Sequence, residues 1–331
     1  MANNSWIQAS RRGIYITPGD FWIDPNFSAP RALITHGHAD HARSGHGAVM
    51  ATRETLRIME ARYGIGWEEQ PVAYGETVRI GEVEVRFVPA GHILGSAQIV
   101  VDYQGQRVVF SGDYKRRADP TCAPFEVVPC DIFVTEATFA LPVFRHPPVE
   151  HEIRKLLDAL DDEDVGSVLV GAYSLGKAQR VIMELRAAGH LAPIYYHGAM
   201  AKLCALYKEM GLDLGDIRPV AGTDRKLMAK HIIIAPPSAL NDRWSRNLPD
   251  PLTAMASGWM GIRQRARQRT VELPLVISDH ADWDELTRTI EEVNPRELWI
   301  THGRDDALMR WCELGQRKAR PLDIGGRDEE D

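Results

Sequence analysis

The sequence predicts an α/β protein: a mostly antiparallel sheet or sandwich with helices outside, followed by a smaller parallel sheet. Three observations carry this. Short β-branched or alternating runs follow one another at 13–17, 21–23, 32–35, 83–89, 97–103, 107–111 and 132–135, bounded by Pro-Gly, Gly-Glu, Gln-Gly and Ser-Gly turn signals. Beyond residue 147 strand-like and helix-like segments alternate, the rhythm of βαβ units. The composition, 44% hydrophobic and 26% charged, is that of a globular chain able to bury a sizeable core. At about 150 residues per domain, 331 residues imply two domains, or one with a large insertion.

Taken in order, 53–63 has helical periodicity and stops at Gly64. The segment 149–160 reads as a helix, and the acidic run 161–164 as a solvated turn. Strand 167–171 leads into helix 176–188, strand 193–196 into helix 200–210, and strand 231–235 into a Pro-Pro break. The Trp-, Pro- and Gly-rich stretch 241–261 reads as loop. Then 270–278 is a strand, 283–293 a helix, 297–301 a last strand, and 325–331 a polar tail that frays. No repeat or low-complexity linker separates the regions, so interlocked domains are expected: 1–165 with 271–331, and 166–270.

Composition also excludes. Cys122, Cys130, Cys204 and Cys312 form no C-x-x-C pair, so neither a disulfide framework nor a thiolate zinc site is expected. No apolar stretch approaches the roughly 20 residues that span a bilayer, and the first residues lack the apolar core of a secretory signal. A cytoplasmic location is the expectation. The net charge of −7 speaks mildly against a protein that simply coats nucleic acid.

Histidine is more informative. An apolar strand ends at Thr35, and His36, His38, Asp40 and His41 follow within six positions. Imidazole and carboxylate are the ligands that suit zinc or, with more carboxylate, manganese or iron. Gly37 and Ala39 are small enough for a tight loop, which divides its ligands: His36 and His38 toward one ion, Asp40 and His41 toward a second. Further candidates sit at strand ends: His92 in a Gly-flanked loop, Asp113 after Ser-Gly, and His302 before Gly303. An Asp in such a place is ordinarily a turn residue or cap; three strand-end candidates beside the cluster read as a ligand set. Asp24, before Pro25, reads equally as a turn initiator or as a carboxylate orienting a ligand histidine.

The ordered series Asp24, His36-x-His38-x-Asp40-His41, His92 and Asp113 resembles the motifs of the metallo-β-lactamase fold. The resemblance covers the first 150 residues or so and the last 60, and implies an αββα sandwich with a dinuclear site at the sheet edge. Val134–Thr135–Glu136–Ala137, Tyr173–Ser174–Leu175–Gly176–Lys177 and Ser278–Asp279–His280–Ala281–Asp282 resemble motifs of that fold's β-CASP nuclease branch, with His302 as its terminal histidine. That branch implies a compact α/β cap inserted at 166–270 and hydrolysis of nucleic acid. The likeness extends to bacterial ligase-associated DNA exonucleases, which implies DNA favoured over RNA, repair, and functional association with an ATP-dependent DNA ligase and a helicase. It implies two divalent ions, zinc or manganese, on His36, His38 and His92 and on Asp40, His41 and His302, with Asp113 bridging. Such ions activate water near neutral pH and neutralise the charge that builds on a phosphodiester under attack. His280 would serve the scissile phosphate or the leaving oxygen, with Glu136 orienting it; a helix-entry histidine and a structural carboxylate are the plain alternatives. RNA processing is the second reading, and a small-molecule thioester or lactone hydrolase, which shares the metal site but has no use for the cap, the third.

Basic residues are the candidate phosphate contacts. Lys115, Arg116 and Arg117 follow Asp113 directly, and Lys177 opens a cap helix. Arg263, Arg265, Arg267 and Arg269 alternate, and on a strand-like segment would share one face as a stripe along a nucleic-acid backbone; a solvated surface run fits the pattern equally. Trp244, Trp259 and Tyr173 are candidates to stack on bases, with core packing the plain alternative, and His197, in a turn of the cap, is a candidate substrate contact.

Overall fold

A computed structural model describes residues 4–268, 271–303 and 305–325. The chain divides into two compact units: one runs through Arg145 and resumes at His280, and the other is His146–Asp279.

The first unit is an αββα sandwich. One six-stranded sheet runs in the order Ile7–Ser10, Gly13–Ile16, Phe21–Ile23, Arg31–Leu33, Ala48–Thr52, Glu68–Val72. A seven-stranded sheet runs Ala319–Pro321, Glu297–Gly303, Ile132–Ala137, Gln106–Phe110, Ala97–Tyr103, Val83–Pro89, Thr77–Ile80. Strand periodicity explains the layering, because successive side chains face opposite ways. Val83, Val85 and Phe87 join Ile99, Val101, Val108, Phe110, Val134 and Trp299 against Ile14, Ile16, Phe21, Ile23 and Leu33 in the core between the sheets. The alternate residues Val88, Val100, Val109, Phe133, Leu298 and Ile300 face outward onto Trp283, Leu286, Ile290 and Leu308 of two helices. Across the first sheet, Ala32, Ile34, Val49 and Ala51 meet Leu56 and Met59 of the helix Arg53–Tyr63. Strands covered on both faces therefore read as continuous apolar runs.

The expectation of mostly antiparallel sheets is corrected: both are mixed. Phe21–Ile23, Arg31–Leu33, Ala48–Thr52 and Glu68–Val72 pair in parallel in succession, as do Gln106–Phe110, Ile132–Ala137, Glu297–Gly303 and Ala319–Pro321. Parallel neighbours need crossovers, supplied by the helix Arg53–Tyr63, by the histidine loop between Leu33 and Ala48, and by the whole second unit between Ala137 and Glu297. Val83–Pro89 lies two antiparallel steps from Gln106–Phe110 and so points the same way. The carboxyl ends of these strands consequently share one edge of the sheet, the usual place for a site in α/β sheets.

The second unit holds a fully parallel six-stranded sheet in the order Ile217–Pro219, Ile194–Tyr196, Ile232–Ala235, Ser167–Gly171, Pro251–Ala256, Leu273–Leu275. Its limits differ from the expected 166–270. The helix Val149–Asp161 belongs here, since Glu152 accepts from the Val276 amide at 2.8 Å. The stretch 241–261, expected as loop, contains the strand Pro251–Ala256, which pairs with the central Ser167–Gly171 and is buried at Ala254, Met255 and Ala256. A leading proline and small residues gave it no β signature. The strand expected at 270–278 is confined to Leu273–Leu275; Thr270, Arg269 and the tail beyond Gly325 lie outside the described residues. Among the described residues no helix is long and apolar enough to cross a membrane.

Trp299 is fully buried between the two sheets of the first unit. Trp299→Ala is expected to cost about 3–5 kcal/mol of unfolding free energy, read by denaturant titration; a loss within the scatter of surface substitutions would contradict the packing described.

Candidate metal centre

The histidine loop leaves the strand Arg31–Leu33 and turns tightly, with the Ala42 and His41 amides donating to the His38 carbonyl at 2.7 and 3.2 Å. The helix Arg53–Tyr63 grips it at two points. Arg62 Nη1 donates to the Gly37 carbonyl at 2.6 Å, and the Tyr63 hydroxyl to the Ala42 carbonyl at 2.8 Å. A β-carbon at Gly37 would lie 2.5 Å from Ile58, so only glycine lets the loop pack this closely on the helix.

Asp24 orients the loop from below. Its carboxylate accepts from the Thr35 amide at 2.8 Å and the Thr35 hydroxyl at 2.7 Å, and lies 2.7 Å from His41 Nδ1. That bond fixes the ring and directs Nε2 toward the cluster. Asp24 takes a left-handed φ of 42°, a conformation the surrounding bonds hold in place.

Two ligand groups meet at one carboxylate. His36, His38, His92 and Asp113 each bring an atom within 4.8 Å of the others, as do Asp40, His41, Asp113 and His302. Asp113 lies 3.5 Å from His36 Nε2, 3.4 Å from His41 Nε2, 3.9 Å from His92 Nε2 and 3.3 Å from His302 Nδ1. Its own loop turns at Gly112, φ 56°, where a β-carbon would come within 2.7 Å of Thr35. His302 reaches the cluster through an irregularity: pairing steps from Thr135–Ile300 to Ala137–Gly303, leaving Thr301 and His302 opposite Glu136 alone. Such bulges re-aim side chains.

Electrostatics favour ligands ready for a cation. Burial, reinforced by the neighbouring His41, holds His36 well below the usual imidazole range, so the ring is neutral near neutral pH. Burial alone would raise the Asp113 carboxyl, but His41 and His302 beside it hold it well below its ordinary value. Asp40 is likewise held low by His41 against the opposing effect of burial. His36 Nε2 and both Asp40 oxygens are buried with no hydrogen-bond partner among the described residues. Buried polar atoms are normally satisfied. Their convergence here, in an imidazole and carboxylate donor set, fits divalent cations.

Beside the cluster, His280 Nδ1 lies 2.9 Å from Glu136 Oε2, and Glu136 Oε1 accepts from the Tyr114 amide at 2.7 Å. The His280 ring is 4.7 Å from that of His92.

No family model matches the chain. A protein named as a probable DNA ligase, from Opitutus terrae, is 26% identical over 96% of this chain and 32% of its own length. A ribonuclease from Thermus thermophilus is 30% identical over 57% of this chain and 51% of its own. Subunit 3-I of the cleavage and polyadenylation specificity factor of Arabidopsis thaliana is 25% identical over 87% of this chain and 53% of its own. The ribonuclease and the cleavage factor subunit among these relatives agree with the resemblance to the β-CASP branch of the metallo-β-lactamase fold. It spans about a third of the first relative and half of the other two. A solved structure from Enterococcus faecalis V583, described as a protein of unknown function, agrees with TM-score 0.61 at 13% identity, over 91% of this chain and 81% of that one. That likeness speaks for the fold.

Several expected phosphate contacts are engaged elsewhere. Lys115 is fully buried, its ammonium donating to the His92 carbonyl at 3.0 Å and to Asp119 at 2.6 Å. Arg116 donates to Thr289 at 2.9 Å and Glu292 at 2.6 Å, and Arg117 pairs with Asp282 and Glu285. The basic run therefore ties the Asp113 loop to the helix Trp283–Val293, with the charge of Lys115, Arg116 and Arg117 engaged by partners within the unit. Lys177 is buried, donating to the Ile277 carbonyl at 2.8 Å and lying 3.3 Å from Asp279. The arginine segment is a helix, Arg263–Gln268, so the alternating residues share no strand face. Arg263 and Arg267 are exposed, Arg265 stacks its guanidinium on Trp259 at 3.7 Å, and Arg269 is outside the described residues. His197 packs on Trp244 with centroids 5.0 Å apart. The supporting residues Thr35, Arg62 and Tyr63 escaped sequence reasoning; adjacency to His36 was a signal for Thr35, whereas the two helix residues carried none.

Asp24→Asn is expected to weaken divalent-ion capture about 10–100-fold, measured by chelator competition; unchanged affinity would show that Asp24 does not orient His41. A second expectation concerns pH. The folded value of His36 lies below its ordinary 6.5, so the stabilisation is present above 6.5 and is lost as pH falls. Melting of the chelator-treated chain should drop between about pH 7 and about pH 5, and less in His36→Gln; equal slopes would contradict it.

Proposed function

We propose that this protein is a metal-dependent phosphodiesterase that hydrolyses nucleic acid, acting on DNA from an end in repair. The observation that carries the reading is the pair of ligand groups joined at Asp113, with the Glu136–His280 pair against them. His36, His38, His92 and Asp113 would hold one divalent ion; Asp40, His41, His302 and Asp113 a second, each zinc or manganese. When bound, such ions supply activated water near neutral pH and neutralise charge on the non-bridging oxygens of the phosphate.

The protein's own groups do the rest. Glu136 engages Nδ1 of His280, so a proton or hydrogen bond to the substrate passes through Nε2, toward a phosphate oxygen or the leaving oxygen. The Tyr114 amide on Glu136 Oε1 holds the carboxylate in the orientation this needs. Asp24 and Thr35 keep the His41 ring from rotating, and Arg62 keeps the loop from opening.

DNA is favoured because a protein named as a DNA ligase contains a region matching 96% of this chain. That supports work beside a DNA ligase; an ATP-dependent ligase and a helicase are what the sequence resemblance adds to this reading. RNA is the second reading, favoured by the ribonuclease and the cleavage and polyadenylation factor among the relatives.

Digestion of end-labelled single- and double-stranded DNA with a matched RNA, in a zinc and manganese series, tests this. Progressive shortening of DNA from one end is expected, abolished by Asp113→Ala and slowed about 10²–10⁴-fold by His280→Ala. Cleavage of RNA alone would establish the second reading, and no cleavage of either polymer with any divalent ion would overturn both.

A further inference from the structure

The second unit contains a cavity of about 570 Å³, within the range of small-molecule sites. It opens at the carboxyl edge of the parallel sheet. Ser238 and Asn241 come from the loop that follows the strand Ile232–Ala235, and Trp259 from the turn that follows Pro251–Ala256. These two strands flank Ser167–Gly171 and run parallel to it. The link from the first flanking strand to the second passes across this central strand, while the chain leaving the central strand runs to the other side, to Ile194–Tyr196. The cavity itself is lined by residues at and beyond the carboxyl ends of the two flanking strands, the edge where open α/β sheets bind ligands.

The lining is chemically specific. Met255 is buried and forms an apolar floor, while Ser238, Asn241 and Gln268 are exposed at the rim. Among the described lining residues Arg265 is the one charged group and none is acidic. Its guanidinium carbon lies 3.7 Å from the centroid of the Trp259 ring, a cation–π contact, and both side chains line the cavity. A guanidinium plane in that position stacks on a planar base and pairs with a phosphate. The side-chain amides of Asn241 and Gln268 each present a donor beside an acceptor, the pattern that reads a base edge.

We infer that this cavity is a nucleotide site, taking one base with its phosphate, separate from the residues of the metal centre. The choice of a nucleotide over another planar anion rests on the nucleic-acid reading above. The same chemistry is offered by a free mononucleotide and by one residue of a strand.

Titration calorimetry on the metal-loaded full chain tests the inference, with dAMP, deoxyadenosine, inorganic phosphate and a tetranucleotide of DNA as ligands. The tetranucleotide is measured on Asp113→Asn so that it stays intact. Saturable dAMP binding is expected, tighter than that of deoxyadenosine or phosphate alone. Arg265→Ala and the cavity-filling Ser238→Trp should each weaken it at least tenfold, and Asp113→Asn should leave it within twofold. Tighter binding of the tetranucleotide than of dAMP assigns the site to a strand; the reverse assigns it to a free nucleotide. Binding that both cavity variants keep, or that Asp113→Asn alone abolishes, would overturn the inference, as would no binding at all. A mononucleotide has no phosphodiester to cleave, so this result stands apart from whether the protein proves to be a nuclease.

Discussion

A buried carboxylate has to be compensated, and at Asp113 the compensation comes from nitrogens of four histidines, all within 4 Å. Those rings originate in two loops and one strand end, so their meeting requires strands of both sheets to end at a common edge. The mixed pairing of both sheets follows from that demand. Antiparallel meanders alone would send successive loops to opposite edges, whereas parallel pairings return each ligand-bearing end to the same side. The close approaches at Gly37 and Gly112 are the local cost of bringing these loops together.

Charge near this edge is arranged differently from what the linear sequence suggests. The Lys115–Arg117 run is absorbed by Asp119, Asp282, Glu285 and Glu292, so it stiffens the Asp113 loop instead of projecting into solvent. The formal charge of −7 therefore reflects an average in which many cations already have partners. Attraction for a polyanion at this edge would have to arise from the ligand set itself once it is loaded with cations.

Much of the fold was legible because its strands are covered on both faces and its helices carry clear boundaries. The strands Val83–Pro89 and Ala97–Tyr103 and the helices Arg53–Tyr63 and Trp283–Val293 coincide with the periodicity read from residues. The convergence of candidate ligands was suggested by four residues, three histidines and one aspartate, crowded into one loop. What escaped was set by tertiary contact. Pro251–Ala256 is a strand because its neighbour is a central strand, and Arg263–Gln268 is helical despite an alternating pattern. Lys115 and Lys177 read as surface cations, since nothing in their flanking residues announces the carbonyls and carboxylates that bury them. The pairing of Arg265 with Trp259 needs a helix to fold back onto the preceding turn, which spacing alone does not show.

The division of the first unit into two stretches bears on how the protein is made. His36, His38, Asp40, His41, His92, Asp113 and Glu136 all precede the second unit, whereas His280 and His302 follow it. During synthesis the second unit emerges as one uninterrupted stretch and can close on its own parallel sheet. The first unit must wait with its seven-stranded sheet missing the strand Glu297–Gly303, leaving an exposed edge on Ile132–Ala137. Only when that strand docks do Trp299 enter the core and His302 reach Asp113. A chain synthesised only through the second unit thus lacks His302, and the ligand group around Asp40, His41 and Asp113 stays incomplete until Glu297–Gly303 docks.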